Sequence, residues 1–221
     1  MKKKFDMKKK LYITILLWAI YAVFLIFFSS TSLTITNFLV HLLLLFVVLF
    51  IYRNDLENYK NEFDKNKKSN ILKVLFYMAI IWGVYILSNT FVNILVKNFG
   101  FNSSNGALMQ LFKNAPYGTM FVCFTSIVFY PIVEELVFRK SLRDVISNPI
   151  LFVIISSLVN WYFQVTIINP SVNELIIALP TLLYSVVAAI IMVKKDNILY
   201  TIYPRMIYNI IICGIQLIAL L

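Results

Sequence analysis

The chain has 221 residues, 61% of them hydrophobic and 14% charged, with a mean hydropathy of +0.83 and a formal net charge of +10. Soluble domains are nearer half apolar and a quarter charged, so this composition excludes a soluble globular protein and predicts an all-α, polytopic integral membrane protein. The basic residues sit at the ends of apolar runs and not in one patch, which argues against nucleic acid as a partner and for the lipid bilayer.

A membrane-crossing helix takes about 20 apolar residues. Seven such runs occur in order, at about 11–28, 35–52, 71–96, 119–138, 149–165, 175–193 and 197–221. The opening "MKKKFDMKKK" has the charge of a signal-peptide n-region, but the apolar run behind it is long. No small-x-small cleavage pattern follows, so the first run is predicted to stay as a transmembrane helix. Seventeen of the 20 Lys and Arg residues fall in the N-terminal tail and in 53–73, 139–147 and 194–196. The alternating segments hold only Lys97 and Lys113, and Arg205 lies inside the last run. This asymmetry predicts a cytoplasmic N-terminus and, with seven spans, an external C-terminus. The Lys-, Asn-, Ile- and Phe-rich composition points to a bacterial cell membrane. Segment 53–70 reads as a solvated, partly helical cytoplasmic connector. Ala107–Phe112, in the longest external loop, reads as a short amphipathic turn on the membrane surface. No internal repeat is evident, which weighs against an inverted-repeat transporter.

Cys123 and Cys213 lie in apolar stretches and read as core- or lipid-facing side chains, not as a disulfide or metal pair. His41 is the only histidine, whereas a zinc site takes three or four ligands, so no metal and no other cofactor is expected.

The chemistry concentrates in "VFYPIVEELVFRK", residues 128–140, where Glu134, Glu135 and Arg139 interrupt a lipid-compatible run. An ionisable residue within a span persists by pairing, by lining a polar cavity or by reaching the interface. Glu135 and Arg139 are four apart and can pair on one helix face. Glu134 lies about 100° around the helix and must face something else. Pro131 predicts a kink beside it. Asn160 and Gln164 are four apart in the fifth run, and Arg205 and Asn209 in the seventh. Each of those pairs also fits ordinary hydrogen bonding between membrane helices. Arg205 needs a counter-charge, and the only acids in the spans are Glu134 and Glu135. Three helices thus offer polar faces that can meet in one buried site.

"PIVEELVFR", the polar fifth run and "RMIYN" together resemble the CAAX protease and bacteriocin-processing family of intramembrane proteins, also called the Abi or lysostaphin-resistance-A-like family. Its motifs run Glu-Glu-x-x-x-Arg, then Phe-x-x-x-His, then His-x-x-x-Asn or Asp. The resemblance covers residues 71–221, with 1–70 as an added pair of helices and a charged cytoplasmic loop. It implies a catalytic set of Glu134, Glu135, Arg139, Gln164, Arg205 and Asn209. The first glutamate would activate water, and the asparagine would help hold an oxyanion. Both motif histidines are replaced, by Gln164 and Arg205, and Lys140 stands where a glycine is common. Hydrolysis of a peptide bond needs a base for the water and an acid for the leaving amine. Glutamine cannot shuttle a proton, and arginine stays protonated. The reading therefore favours a degenerate relative that binds a membrane or secreted peptide or protein, in processing, immunity or a cell-envelope role. The alternatives are an active endopeptidase, cleaving CAAX-like or leader peptides with Glu134 as general base, and a small transporter.

Overall fold

In the computed structural model residues 2–28, 35–99, 116–165 and 171–218 are described, and among them there is no β-strand. The helices are α1 (Lys2–Phe28), α2 (Ile35–Lys65), α3 (Lys67–Phe99), α4 (116–145), α5 (Pro149–Tyr162), α6 (Val172–Ile177), α7 (Leu179–Lys195) and α8 (Leu199–Ile218). Among the described residues five stretches are long and apolar enough to cross a membrane: Met7–Phe28, Ile35–Lys65, Lys67–Asn98, Gly118–Val145 and Leu199–Ile218. The all-α, polytopic architecture expected from composition is therefore present.

Two of the expected spans are shorter than predicted. The fifth is the 14-residue α5, about 21 Å long against a hydrocarbon core of about 30 Å. It starts sharply because the Asn148 side chain accepts from the amides of Ile150 and Leu151, and Pro149 occupies the first turn. It ends at Tyr162, so Phe163–Val165 form a turn. The sixth is divided into α6, opened by a Ser171–Glu174 capping box, and the 17-residue α7, which carries Pro180 at its start. Asp196, with φ of 49°, closes α7 in the left-handed region.

Segment 53–70 is helical and largely exposed, as expected of a solvated, partly helical connector, with Phe63 and Asn70 buried. Only Asn66 separates α2 from α3, and one face at the C-terminal end of α2 is docked. Tyr52, Tyr59 and Phe63 recur at helical spacing, which puts them on one face. Phe63 packs on Tyr200 and Tyr203 with ring centroids 5.5 Å from each, and Asn197 Nδ2 donates to Tyr59 O at 2.9 Å. The basic turn expected at 139–147 shrinks to 146–148, because α4 continues to Val145 and buries Arg139 and Lys140. Lys140 Nζ reaches Asp144 Oδ1 at 2.7 Å and Asp55 Oδ2 at 3.0 Å, which ties α4 to α2. Ala107–Phe112 and residues 219–221 lie outside the described residues.

The centre of the bundle is α4. More than half of its span is buried within the protein, against a third or less for the other four spans. Phe129, Val133, Leu136, Val137 and Phe138 of α4 pack in one core with Leu17, Tyr21 and Phe24 of α1 and Leu44 and Val48 of α2. A second core joins α2, α3, α7 and α8 around Phe63, Ile81, Ala188 and Tyr200. Small buried residues on α5 (Ser156, Ser157) and α7 (Ser185, Ala188, Ala189) suit the close approach of these two helices. His41 is buried in an aromatic cage of Phe24, Phe121 and Phe129, with Nδ1 2.8 Å from Asn37 O. It has a packing role outside the motif region.

Candidate functional site

The kink expected at Pro131 takes a particular form. Tyr130–Glu134 is α-helical but lies between two π-helical stretches, Thr125–Phe129 and Glu135–Lys140. Proline removes an amide donor and crowds the preceding turn, and a widened helix accommodates both. π-Helical segments are frequent at functional sites. Widening the turn also displaces carbonyls from their usual partners, and neighbouring helices supply side-chain donors to such groups. Asn209 Nδ2 donates to Ser126 O at 2.5 Å in the first stretch. Trp18 Nε1 donates to Val137 O at 3.0 Å in the second.

Glu134 and Glu135 flank the junction between the α-helical turn and the second π stretch, and both are essentially inaccessible. Glu135 Oε1 is paired with Arg139 on the same helix, as the four-residue spacing predicted. The same oxygen accepts from Tyr184 Oη of α7 at 2.7 Å. Glu134 faces the other way, again as predicted. Its Oε2 lies 2.5 Å from Arg205 Nη2 of α8, and its Oε1 accepts from Gln164 Nε2 at 2.7 Å and from Tyr21 Oη of α1 at 3.1 Å. Arg205 Nη1 is 3.9 Å from Glu135 Oε1, so one guanidinium spans both acids. The Tyr184 ring lies between the two cations, its centroid 5.2 Å from Cζ of Arg139 and 5.2 Å from Cζ of Arg205.

The result is a tetrad of two carboxylates and two guanidiniums, electrically neutral and enclosed by α1, α4, α5, α7 and α8. Arg205 is its most accessible member, with its side chain 16% exposed against 2% for Glu134. Lone charges at this depth would be costly, and mutual pairing is what permits them.

Of the six candidate residues, Glu134, Glu135, Arg139, Gln164 and Arg205 converge. Asn209 stands apart, since its amide donates to Ser126 O, eight residues before Glu134 on α4. Asn160 and Gln164 do not share a face. α5 ends before Gln164, which turns to Glu134, while Asn160 Nδ2 donates to Ser185 Oγ at 2.5 Å. Cys123 and Cys213, read as core- or lipid-facing side chains and not as a disulfide, are both free thiols. Sequence reasoning missed Tyr21 and Tyr184. Their only signal was a hydroxyl in mid-run, in "WAIYAVF" and "TLLYSVV", and the chain has 13 tyrosines. Among the described residues no group of three or more His, Cys, Asp or Glu side chains forms a metal site.

Residues 116–211 match the family described as Type II CAAX prenyl endopeptidase Rce1-like. The matched segment runs from the start of α4 into α8 and contains all six candidate residues. The resemblance to the CAAX protease and bacteriocin-processing family holds on this region, somewhat under half of the chain. No curated protein and no solved structure matches the chain. The protein is a multi-pass membrane protein, and its residues 116–211 are similar to that family.

Proposed function

We propose that this protein is a degenerate member of the CAAX protease-like group. In this reading it binds a membrane or secreted peptide or protein and does not cut it, in a processing, immunity or cell-envelope role. The observation that carries the reading is the direct Arg205–Glu134 ion pair. A general base must be free to take a proton from water, and a general acid must then release one. Here one Glu134 oxygen faces a permanent cation, and the other accepts from Gln164 and Tyr21. At the two positions where the family carries histidine, an amide and a guanidinium supply fixed hydrogen bonds and fixed charge but no proton shuttle. We place the protein in a bacterial plasma membrane, from its Lys-, Asn-, Ile- and Phe-rich composition, with its N-terminus in the cytoplasm, from the basic-residue asymmetry.

A second reading has its own support. Gln164 and Arg205, the positions matched to the second and third family motifs, both reach Glu134, which supports a hydrolytic arrangement. An active endopeptidase would use Glu134 as its base and the Arg205 cation to stabilise an oxyanion. The two readings separate on the N- and C-termini of peptides and proteins in membranes and medium. The strains compared are wild type, a deletion, and Glu134→Ala expressed at matched level. The binding reading expects identical termini in all three, with the deletion phenotype rescued by Glu134→Ala. Termini present only with wild type would establish a working peptidase and name its substrate.

A further inference from the structure

Two nucleophilic side chains that the proposed function does not use meet across α4 and α8. The chain has two cysteines, Cys123 on the first of these helices and Cys213 on the second. Two contacts set the register between the helices. Arg205 of α8 reaches Glu134 of α4, and one turn further along α8 Asn209 reaches Ser126 of α4. The helices therefore run antiparallel, because advance along one is retreat along the other. The next turn of α8 brings Cys213, and the preceding turn of α4 brings Cys123. The register places the two residues opposite one another, and the Cys213 thiol interacts with that of Cys123. Directly facing cysteines on neighbouring helices are the arrangement that a disulfide needs.

Both thiols are free, with Cys213 buried and Cys123 half-buried. Cys123 lies about 10 Å along α4 from Pro116, and Cys213 about 12 Å along α8 from Arg205, away from the basic turn at 194–196. With the N-terminus in the cytoplasm, this end of the interface faces outward, the side on which disulfides form and persist. The compartment rests on that proposed orientation, whereas the pairing does not.

We propose that Cys123 and Cys213 are a redox pair that closes into a disulfide and locks α8 to α4. The oxidant is a disulfide, borne by a small molecule or by an oxidoreductase. The thiolate of the more exposed Cys123 attacks one sulfur of the oxidant and displaces the other as a thiolate. The Cys213 thiolate then attacks Cys123 Sγ in the mixed disulfide, forms the internal bond and displaces the second oxidant sulfur. The two cysteines lose two electrons and two protons, and the oxidant gains both and leaves as two thiols. The bond restrains movement of α8 away from α4 at a point beyond the Arg205–Glu134 pair. It stands whether or not the protein cuts peptides.

The test exposes the full chain in lipid nanodiscs to oxidised glutathione and then counts free thiols with a maleimide mass tag after denaturation. Two tags are expected before oxidation and none after it, on a monomer whose intact mass has fallen by two hydrogens. Dithiothreitol should restore both tags. Cys213→Ser should stop at a glutathione adduct on Cys123. Closure should also raise the midpoint of unfolding in sodium dodecyl sulfate for wild type and leave that of Cys123→Ser unchanged. Tags that persist on wild type, a wild-type glutathione adduct or a disulfide-linked dimer would each overturn the internal pair. A Cys213→Ser variant without the adduct overturns the order of attack, and equal midpoints for oxidised and reduced wild type overturn the lock.

Discussion

If Arg205 serves chiefly to neutralise Glu134, removing it should be costly in a specific and reversible way. At an effective dielectric of about 20, the 2.5 Å contact with Glu134 is worth about 6.6 kcal/mol of gross attraction, and the 3.9 Å contact with Glu135 about 4.3 kcal/mol. Desolvation cancels much of each. What counts is the charge left behind when a partner is lost, which for a buried pair costs about 3–5 kcal/mol. Arg205→Met leaves Glu134, whose side chain is 2% exposed, without its cation and should fall in that range. Glu134→Gln leaves an arginine that is 16% exposed and still near Glu135, so its cost should be smaller, about 1–3 kcal/mol. The double variant replaces the pair with neutral groups and should be more stable than Arg205→Met alone, because buried pairs exchanged for neutral residues are often close to neutral.

The assay is reversible unfolding in mixed micelles titrated with sodium dodecyl sulfate, run as a double-mutant cycle. A parallel cycle with Glu135→Gln should show weaker coupling to Arg205, since that contact is longer and Glu135 keeps Arg139 and Tyr184. Two results would refute the reasoning. One is an Arg205→Met variant within about 0.5 kcal/mol of wild type. The other is a double variant equal to the sum of its singles within about 0.5 kcal/mol.

Tyr21→Phe removes one donor to a buried carboxylate and should cost about 1.5–3 kcal/mol in the same assay, while Trp18 and Phe24 keep α1 packed on α4. A neutral result would remove α1 from the site. Asn148→Ala deletes the cap of α5 and should cost about 1 kcal/mol, with faster amide exchange confined to the first turn of α5.

The Glu135–Arg139 pair and the need of Arg205 for an acid were legible because both follow from counting. Spacing settles the first, and the scarcity of acids in the spans settles the second. The opposite facing of Glu134 was legible for the same reason. The meeting of the fifth run with Glu134 was legible from its polar face, but the periodicity argument placed Gln164 beside Asn160. That argument assumed α5 continues, whereas the turn at Phe163–Val165 redirects the chain. The docked end of α2 was hidden by charge. Tyr52, Tyr59 and Phe63 form an apolar stripe within a segment whose other residues are mostly polar, and the stripe reads clearly only once α8 is seen opposite. Arg139 and Lys140 were counted among the basic residues flanking the membrane, yet both are consumed by partners inside the fold. Tyr21 and Tyr184 follow from no periodicity, because a tyrosine in a span is as often packing as bonding.

On the proposed reading, Gln164 and Arg205 in place of the motif histidines make a different kind of site. A histidine can be neutral or charged, so it can stand near a carboxylate without a permanent pair. Arginine has no neutral form available, and at this depth it must be matched at all times. Matching it occupies Glu134, and the remaining Glu134 oxygen is then held by groups that donate without shuttling protons, Gln164 and Tyr21. Arg205 therefore gives Glu134 a structural role, joining α8 to α4. Glu135 and Arg139 were already joined within α4, and Tyr184 brings α7 onto both cations. On that reading, the pairing that ties up Glu134 as a base also makes a neutral centre. A partner would meet this centre through Arg205, its most accessible charge.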